Sequence, residues 1–258
     1  MDILTILGIV GSIGAILLGQ FLEGGHAGSL VQLTAFIIVI GGTIGACMVA
    51  FPKDEFMRGM KMVGTAFKAK HSDMGELSTK LVELAGLARR EGVLSLEGKI
   101  AELSDPFLKR GLQLVVDGVD PNVTRETLEV AIFIEFEESN AGAKVWESAG
   151  GFSPTVGILG AVLGLIHVME NLDDPTKLGP GIAVAFVATV YGVGTANLFF
   201  LPFATKMKRN AAMEKERKTL IAEGLLSIQE GLSPRIIEEK LKSFAGSHGA
   251  HAHGEAKK

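Results

Sequence analysis

Long apolar runs alternate with long polar ones along this chain, and the runs fix its architecture first. Four of them approach the roughly 20 residues that a helix needs to cross a bilayer core. The first is Ile3–Leu22, with only Thr5, Ser12 and Gln20 as polar interruptions. The second is Leu30–Phe51, the third starts near Gly151 and reaches Met169, and the fourth is Ile182–Phe203. Short polar links join the first to the second (Glu23–Ser29) and the third to the fourth (Glu170–Pro180). The first run has no basic leading segment, and no A-x-A-like cleavage site follows it, so it reads as a span and not as a signal peptide. The predicted division is span 1 at 1–22, a link at 23–29, span 2 at 30–51, a polar segment at 52–150, span 3 at 151–169, a link at 170–181, span 4 at 182–203 and a polar tail at 204–258.

The polar segment also predicts helices. Ser72 or Asp73 caps one that runs through Leu81, Val82, Leu84 and Leu87 and stops at Gly92. Ser95 opens a turn system. Asp105-Pro106 starts a further helix with proline at its first position, and Gly118 closes it. From Pro121 the spacing of Leu128, Ala131, Ile132, Ile134 and Phe136 predicts a long helix, with a bend expected at Gly150-Gly151. Trp146 stands where an interfacial anchor would stand. No strand-type alternation persists. In the tail, Ser233-Pro234 opens an amphipathic stretch through Ile236, Ile237, Leu241 and Phe244, and Gly246–Lys258 is expected to be disordered. The fold class is therefore all-α and membrane-integral, with four transmembrane helices and a helical domain between the second and third.

Composition agrees. Hydrophobic residues make up 47% of the 258 and charged residues still 21%, and mean hydropathy is +0.34. Such a balance requires the two classes to be segregated. The basic residues then set orientation. Of the 25 Lys and Arg, 13 lie in Pro52–Gly150, 11 in Ala204–Lys258, one in the second link (Lys177) and none in the first. By the positive-inside rule, the polar segment, the tail and both termini are cytoplasmic. A net charge of −4 gives no sign of nucleic-acid binding. Cys47 is the single cysteine, so no internal disulfide can form.

Little catalytic chemistry is visible. There is no phosphate loop, no zinc motif and no nucleophile with a positioned base. Glu135, Glu137 and Glu138 have no metal-ligand spacing with any histidine, and His248, His251 and His253 lie in the polar tail. The expected metal and cofactor content is none. Pro154, Gly157, Ala161 and Gly164 fall close to one helical face, and Gly160 and Gly164 form a small-xxx-small pair; close helix packing is the ordinary reading of the glycines. Pro154 removes a backbone donor, so it starts the third span or bends it. Thr189 is the most useful polar group of the fourth span, although a buried threonine ordinarily bonds back to its own helix. His167 lies shallow, at an interface. No carboxylate stands mid-span, so this chain alone has no group to relay protons.

Several segments taken in order resemble the MotA/PomA family of flagellar-stator A subunits. Ala88-Arg89-Arg90-Glu91-Gly92 followed by Leu96-Glu97 is similar to that family's charged cytoplasmic segment. Pro154-Thr155-Val156-Gly157 leading to Gly160–Ile166 is similar to its third span, and GLIHVMENL (Gly164–Leu172) and EGLLSIQE (Glu223–Glu230) are close to its wording. The resemblance covers all but about the last dozen residues. It implies an ion-driven rotary unit in the bacterial inner membrane: five A subunits around two peptidoglycan-binding, MotB-like B subunits that supply the ion-binding aspartate. It also implies contact with a FliG-like switch protein of the rotor. On it, Pro154 and Pro202 match the prolines that couple ion flow to movement, though Pro202 also reads simply as a helix end. Thr189 matches a hydroxyl facing the ion path, and Tyr191 lines the same path. Arg89 and Glu97 match the rotor-facing charges, with Arg90 and Glu91 contributing; without the resemblance they would be a solvated helix face. Sodium-driven members carry threonine at the place of Ala161. Sodium needs oxygen ligands and alanine supplies none, so the expected ion is the proton.

Two other readings remain. An energiser subunit resembling ExbB or TolQ has one span before its large cytoplasmic portion, and two precede it here. A standalone channel or secondary transporter would work without a partner, and the two span pairs show no evident inverted repeat.

Overall fold

The computed structural model describes residues 2–67 and 74–243, with the backbone alone at Lys177. The expected Ser72 or Asp73 cap, Phe244 and the histidine-bearing tail lie outside the described residues. Among those described, all regular structure is helical. Four helices are long and apolar enough to cross a membrane, within Ile3–Leu22, Ala27–Ala50, Pro121–Glu170 and Leu178–Gln229. The chain divides into two compact units. The membrane unit is Met1–Ala69 with Glu138–Asn210, and the polar unit is Lys70–Glu137 with Ala211–Lys258.

In the membrane unit, α1 (Ile3–Leu22) is capped by Asp2, whose carboxylate accepts from Leu4 N and also takes the Lys206 ammonium. No residue of α1 is buried. A 3-10 turn (Ala27–Leu30) then leads into the second span: α2 (Leu33–Phe36), a π turn (Ile37–Gly41) and α3 (Gly42–Ala50). Helix α4 (Lys53–Ala66) follows Pro52 and packs on α8 (Pro121–Glu170); an added methyl at Gly59 would lie 3.0 Å from the Gly142 carbonyl. Trp146 is half-buried. Its Nε1 donates to the Gly59 carbonyl at 2.8 Å, and its ring packs on Phe200 and Phe203. It therefore ties helices together in addition to standing near the end of a span.

The third span differs from its expected start. Helix α8 runs unbroken through Gly150-Gly151, where a bend was expected, and also through Pro154. Gly150 serves close packing instead, since a methyl there would meet Leu201 Cδ2 at 2.5 Å. The fourth span is α9 (Pro175–Thr195), capped by Asp174, then a π turn (Ala196–Phe200), then α10 (Leu201–Gln229). Pro202 is not a helix end: the π turn just before it carries a five-residue bond from Leu201 N to Ala196 O, and the helix continues. A wider turn relieves the clash of a proline ring with the carbonyl one turn back.

The polar unit is a helical bundle made of α5 (Met74–Glu91), α6 (Glu97–Ile100), α7 (Pro106–Val116), the first part of α8, the last part of α10, and α11 (234–243). Its core holds Leu81, Leu108, Leu112, Leu128, Leu225 and Leu241, each at most 2% exposed. Fully burying such a side chain contributes about 1.5–3 kcal/mol. The local punctuation acts as the sequence predicts. Asp105 caps α7 by accepting from Phe107 N and Leu108 N, and Gly92 and Gly118 leave their helices at φ 86 and 70. Those left-handed values suit glycine because it has no Cβ.

Candidate functional site

Spans three and four meet along a seam of small residues. A methyl added at Gly157 would stand 2.9 Å from the Ala188 carbonyl and 3.0 Å from Gly192 Cα; at Gly164 it would stand 2.9 Å from the Gly181 carbonyl. Backbone therefore touches backbone, which is how helices associate where lipid is as apolar as leucine. The second span joins them through buried Ala35 and Val39 against Val187 and Ala188.

The expected ion-path residues flank this seam. On α8, Pro154 and Ala161 are half-buried, two turns apart, with exposed Ile158 and Leu165 on the same stripe. On α9, half-buried Thr189 shares a stripe with Ile182, Phe186 and Val193, which are 40%, 69% and 47% exposed. Each stripe is an apolar face that the other described residues do not cover. The Thr189 hydroxyl donates to the Ala185 carbonyl of its own helix at 3.3 Å, a long bond that leaves both oxygen lone pairs free to accept. Tyr191 is committed elsewhere: its hydroxyl donates to Leu30 O at 2.6 Å and accepts from Gln32 N at 3.2 Å, fixing the entry of the second span. No carboxylate lies between Ser148 and Met169, or between Pro175 and Met213. The acids Glu170, Asp173 and Asp174 stand at the end of the pair.

Sequence reasoning missed one pair here. Ser153, fully buried, lies 2.8 Å from the Thr195 hydroxyl across the seam. The signal was present. Positions 153, 157, 160 and 164 share one face, so Ser153 extends the glycine stripe by one turn.

In the polar unit, Arg89, Arg90 and Glu97 are all exposed, and none forms an ion pair among the described residues. They are not on one helix face. Arg89 and Arg90 close α5, the chain reverses at Gly92, and Glu97 opens α6 after a 3-10 turn (Val93–Leu96). Ser95 Oγ donates to the Gly92 carbonyl at 2.6 Å, and Leu96, wholly buried, anchors the turn. Glu135 pairs with Lys218, and Glu138 with Arg58 at 3.2 Å.

These features define a four-span helical membrane protein with a folded polar unit between its second and third spans and exposed apolar faces on its last two spans. Residues 99–219 match the MotA/TolQ/ExbB proton channel family, and residues 6–92 match the motility protein A N-terminal family. Motility protein A of Helicobacter pylori (strain ATCC 700392 / 26695) is 37% identical over 258 residues, covering 100% of this chain and 98% of that one. The solved C. jejuni MotAB structure matches with a TM-score of 0.89 at 34% identity, covering 95% of this chain and 96% of that one. The flagellar MotAB stator complex of Bacillus subtilis matches with a TM-score of 0.85 at 37% identity, covering 93% and 94%. The chain belongs to the MotA/PomA family of motility proteins, within the MotA/TolQ/ExbB group.

Proposed function

We propose that this chain is the A subunit of a proton-driven flagellar stator. It works as a ring of five around two MotB-like B subunits in the bacterial inner membrane, with both termini cytoplasmic. The observation that carries the proposal is the uncovered apolar flank of α9 bearing Thr189 in spans that hold no carboxylate of their own. A relay needs an acid, and a partner helix laid on that flank would bring one beside the Thr189 hydroxyl. Likeness to solved MotAB complexes over more than nine-tenths of the chain supports such a partner. Ala161 on the neighbouring stripe offers no oxygen, which suits a proton and not a sodium ion. One charge crossing ~100 mV releases about 2.3 kcal/mol, so torque comes from many small steps.

The outer contact is electrostatic. Exposed and without an ion pair among the described residues, Arg89, Arg90 and Glu97 present charge to a FliG-like rotor protein, where it sets partner choice and encounter rate more than affinity. The energiser reading is weaker, because the motility protein A N-terminal match spans both of the first two runs.

Complementation tests the proposal. Expressed with its cognate B subunit in a stator-deleted flagellated host, the chain restores swimming; expressed alone it does not. An intact membrane complex that leaves such cells immobile contradicts it.

A further inference from the structure

Most hydroxyls in these spans bond to their own helix, Thr43 to the Val39 carbonyl and Thr205 to the Leu201 carbonyl among them. Ser153 does not. Its oxygen meets Thr195 Oγ1 on the other helix at 2.8 Å. The single Thr195 proton goes to the Tyr191 carbonyl at 2.7 Å, so Ser153 is the donor across the seam. Both hydroxyls are committed, and Ser153 is 0% exposed. The pair is therefore not an ion ligand facing a path.

Its position is what gives it meaning. Ser153 immediately precedes Pro154, where α8 lacks a backbone donor. Thr195 is the last residue of α9, immediately before the π turn that leads to Pro202. Each helix thus loses regular backbone bonding at this level, and kinks and hinges form at such places. The bond joins the two irregular points directly. On one side Gly192 and Gly157 are in backbone contact, and on the other Gly150 packs on Leu201.

We infer that the Ser153–Thr195 hydroxyl pair is a clamp that makes the proline-bearing stretches of spans three and four move as one body when the ion-coupled cycle bends them. The two are positioning residues. The inference rests on the proposed stator function. Without the clamp, Pro154 and the π turn would flex independently, and movement at Thr189 would be transmitted poorly.

The test uses the full chain with its B subunit in stator-deleted cells. Ser153→Ala with Thr195→Val should lower swimming speed about threefold to tenfold, the scale of one interhelical bond, at unchanged membrane abundance. The exchanged pair, Ser153→Thr with Thr195→Ser, keeps both hydroxyls and the total volume, and should recover speed. The deciding variant is Ser153→Cys with Thr195→Cys in a Cys47→Ala background, oxidised in intact cells and scored for disulfide by gel shift. A clamp predicts that reduced cells swim slowly, as the Ala/Val variant does, because thiols bond weakly, and that cross-linking raises their speed toward the parent's by holding the two points together. Cross-linking that stops motility, absence of any cross-link, or parental speed from the Ala/Val variant each overturns the inference. Failure of the parent chain to restore swimming would instead count against the stator reading itself.

Discussion

Thr189 contributes little to the fold that holds it. Its 3.3 Å bond to the Ala185 carbonyl is at the long end of the range and contributes little to folding. What the hydroxyl offers is an acceptor on an otherwise apolar flank. Thr189→Ala should therefore leave the amount of protein in the membrane unchanged while lowering swimming speed at least about tenfold, the scale of one lost polar contact in a dry site. Thr189→Ser should retain most of the speed. Speed and immunoblotted abundance in the same cells separate the two effects, and parental speed from Thr189→Ala would remove this residue from the ion path. Position and residue type single out Thr189 in the sequence. Ser153 was harder, because its hydrogen-bond partner stands 42 positions away and no local rule selects that partner. Tyr191 carried the same limit: its place two residues from Thr189 was visible, but its commitment to Leu30 and Gln32 depends on how span two folds back.

The elements divide by whether their signals are local. Asp105-Pro106, Gly92 and Gly118 act through their own turns, and each begins or ends a helix where the sequence places it. Gly150-Gly151 and Pro202 look like breaks but are not: Gly150 packs against Leu201, and the π turn before Pro202 accommodates its ring. The π turns at Ile37–Gly41 and Ala196–Phe200 have no sequence signature of their own. The seam makes a quantitative contrast possible within one helix. A methyl at Gly157 would press on the Ala188 carbonyl at 2.9 Å, whereas one at Gly151 meets nothing within 4 Å. Overpacking costs about 1–3 kcal/mol, so Gly157→Ala should unfold measurably earlier in a denaturant titration of the purified chain in micelles. Gly151→Ala should match the parent or slightly exceed it, since alanine is the better helix former by up to ~1 kcal/mol. Equal curves for the two variants would contradict the seam.

For the molecule as a whole, the polar unit couples stability to pH. Burial opposes ionisation of Asp105, but bonds from the Leu108 and Phe107 amides and the Arg217 guanidinium outweigh it and hold its carboxyl below the usual range. Burial likewise opposes ionisation of Glu223, and Lys240 at 2.8 Å and Arg125 at 3.1 Å outweigh it. Both folded values lie below the unfolded ones. Their contribution is therefore present above the ordinary carboxylate value of about 4 and is lost as pH falls through the depressed values. Melting of the solubilised chain followed by circular dichroism should show the midpoint falling steeply below about pH 4. Asp105→Asn keeps a good helix cap, loses about 1–3 kcal/mol through the missing charge-assisted bond, and should flatten that acid slope. An unchanged slope would show that the network does not matter.

The fold class and the family were legible at this scale because run length, basic-residue asymmetry and ordered motifs are summed over the whole chain. The geometry of the candidate site was not legible, since how the spans pack and which flanks they leave exposed depends on contacts between segments far apart in the chain.

On the proposed function, proton flow through a complex containing this chain drives flagellar rotation. Its most direct test is the rotation speed of tethered, stator-deleted cells carrying this chain with its B subunit, recorded while sodium is varied at fixed pH and then while an uncoupler collapses the proton gradient. Rotation should be indifferent to sodium and abolished by the uncoupler. Rotation that scales with sodium and survives the uncoupler would contradict it.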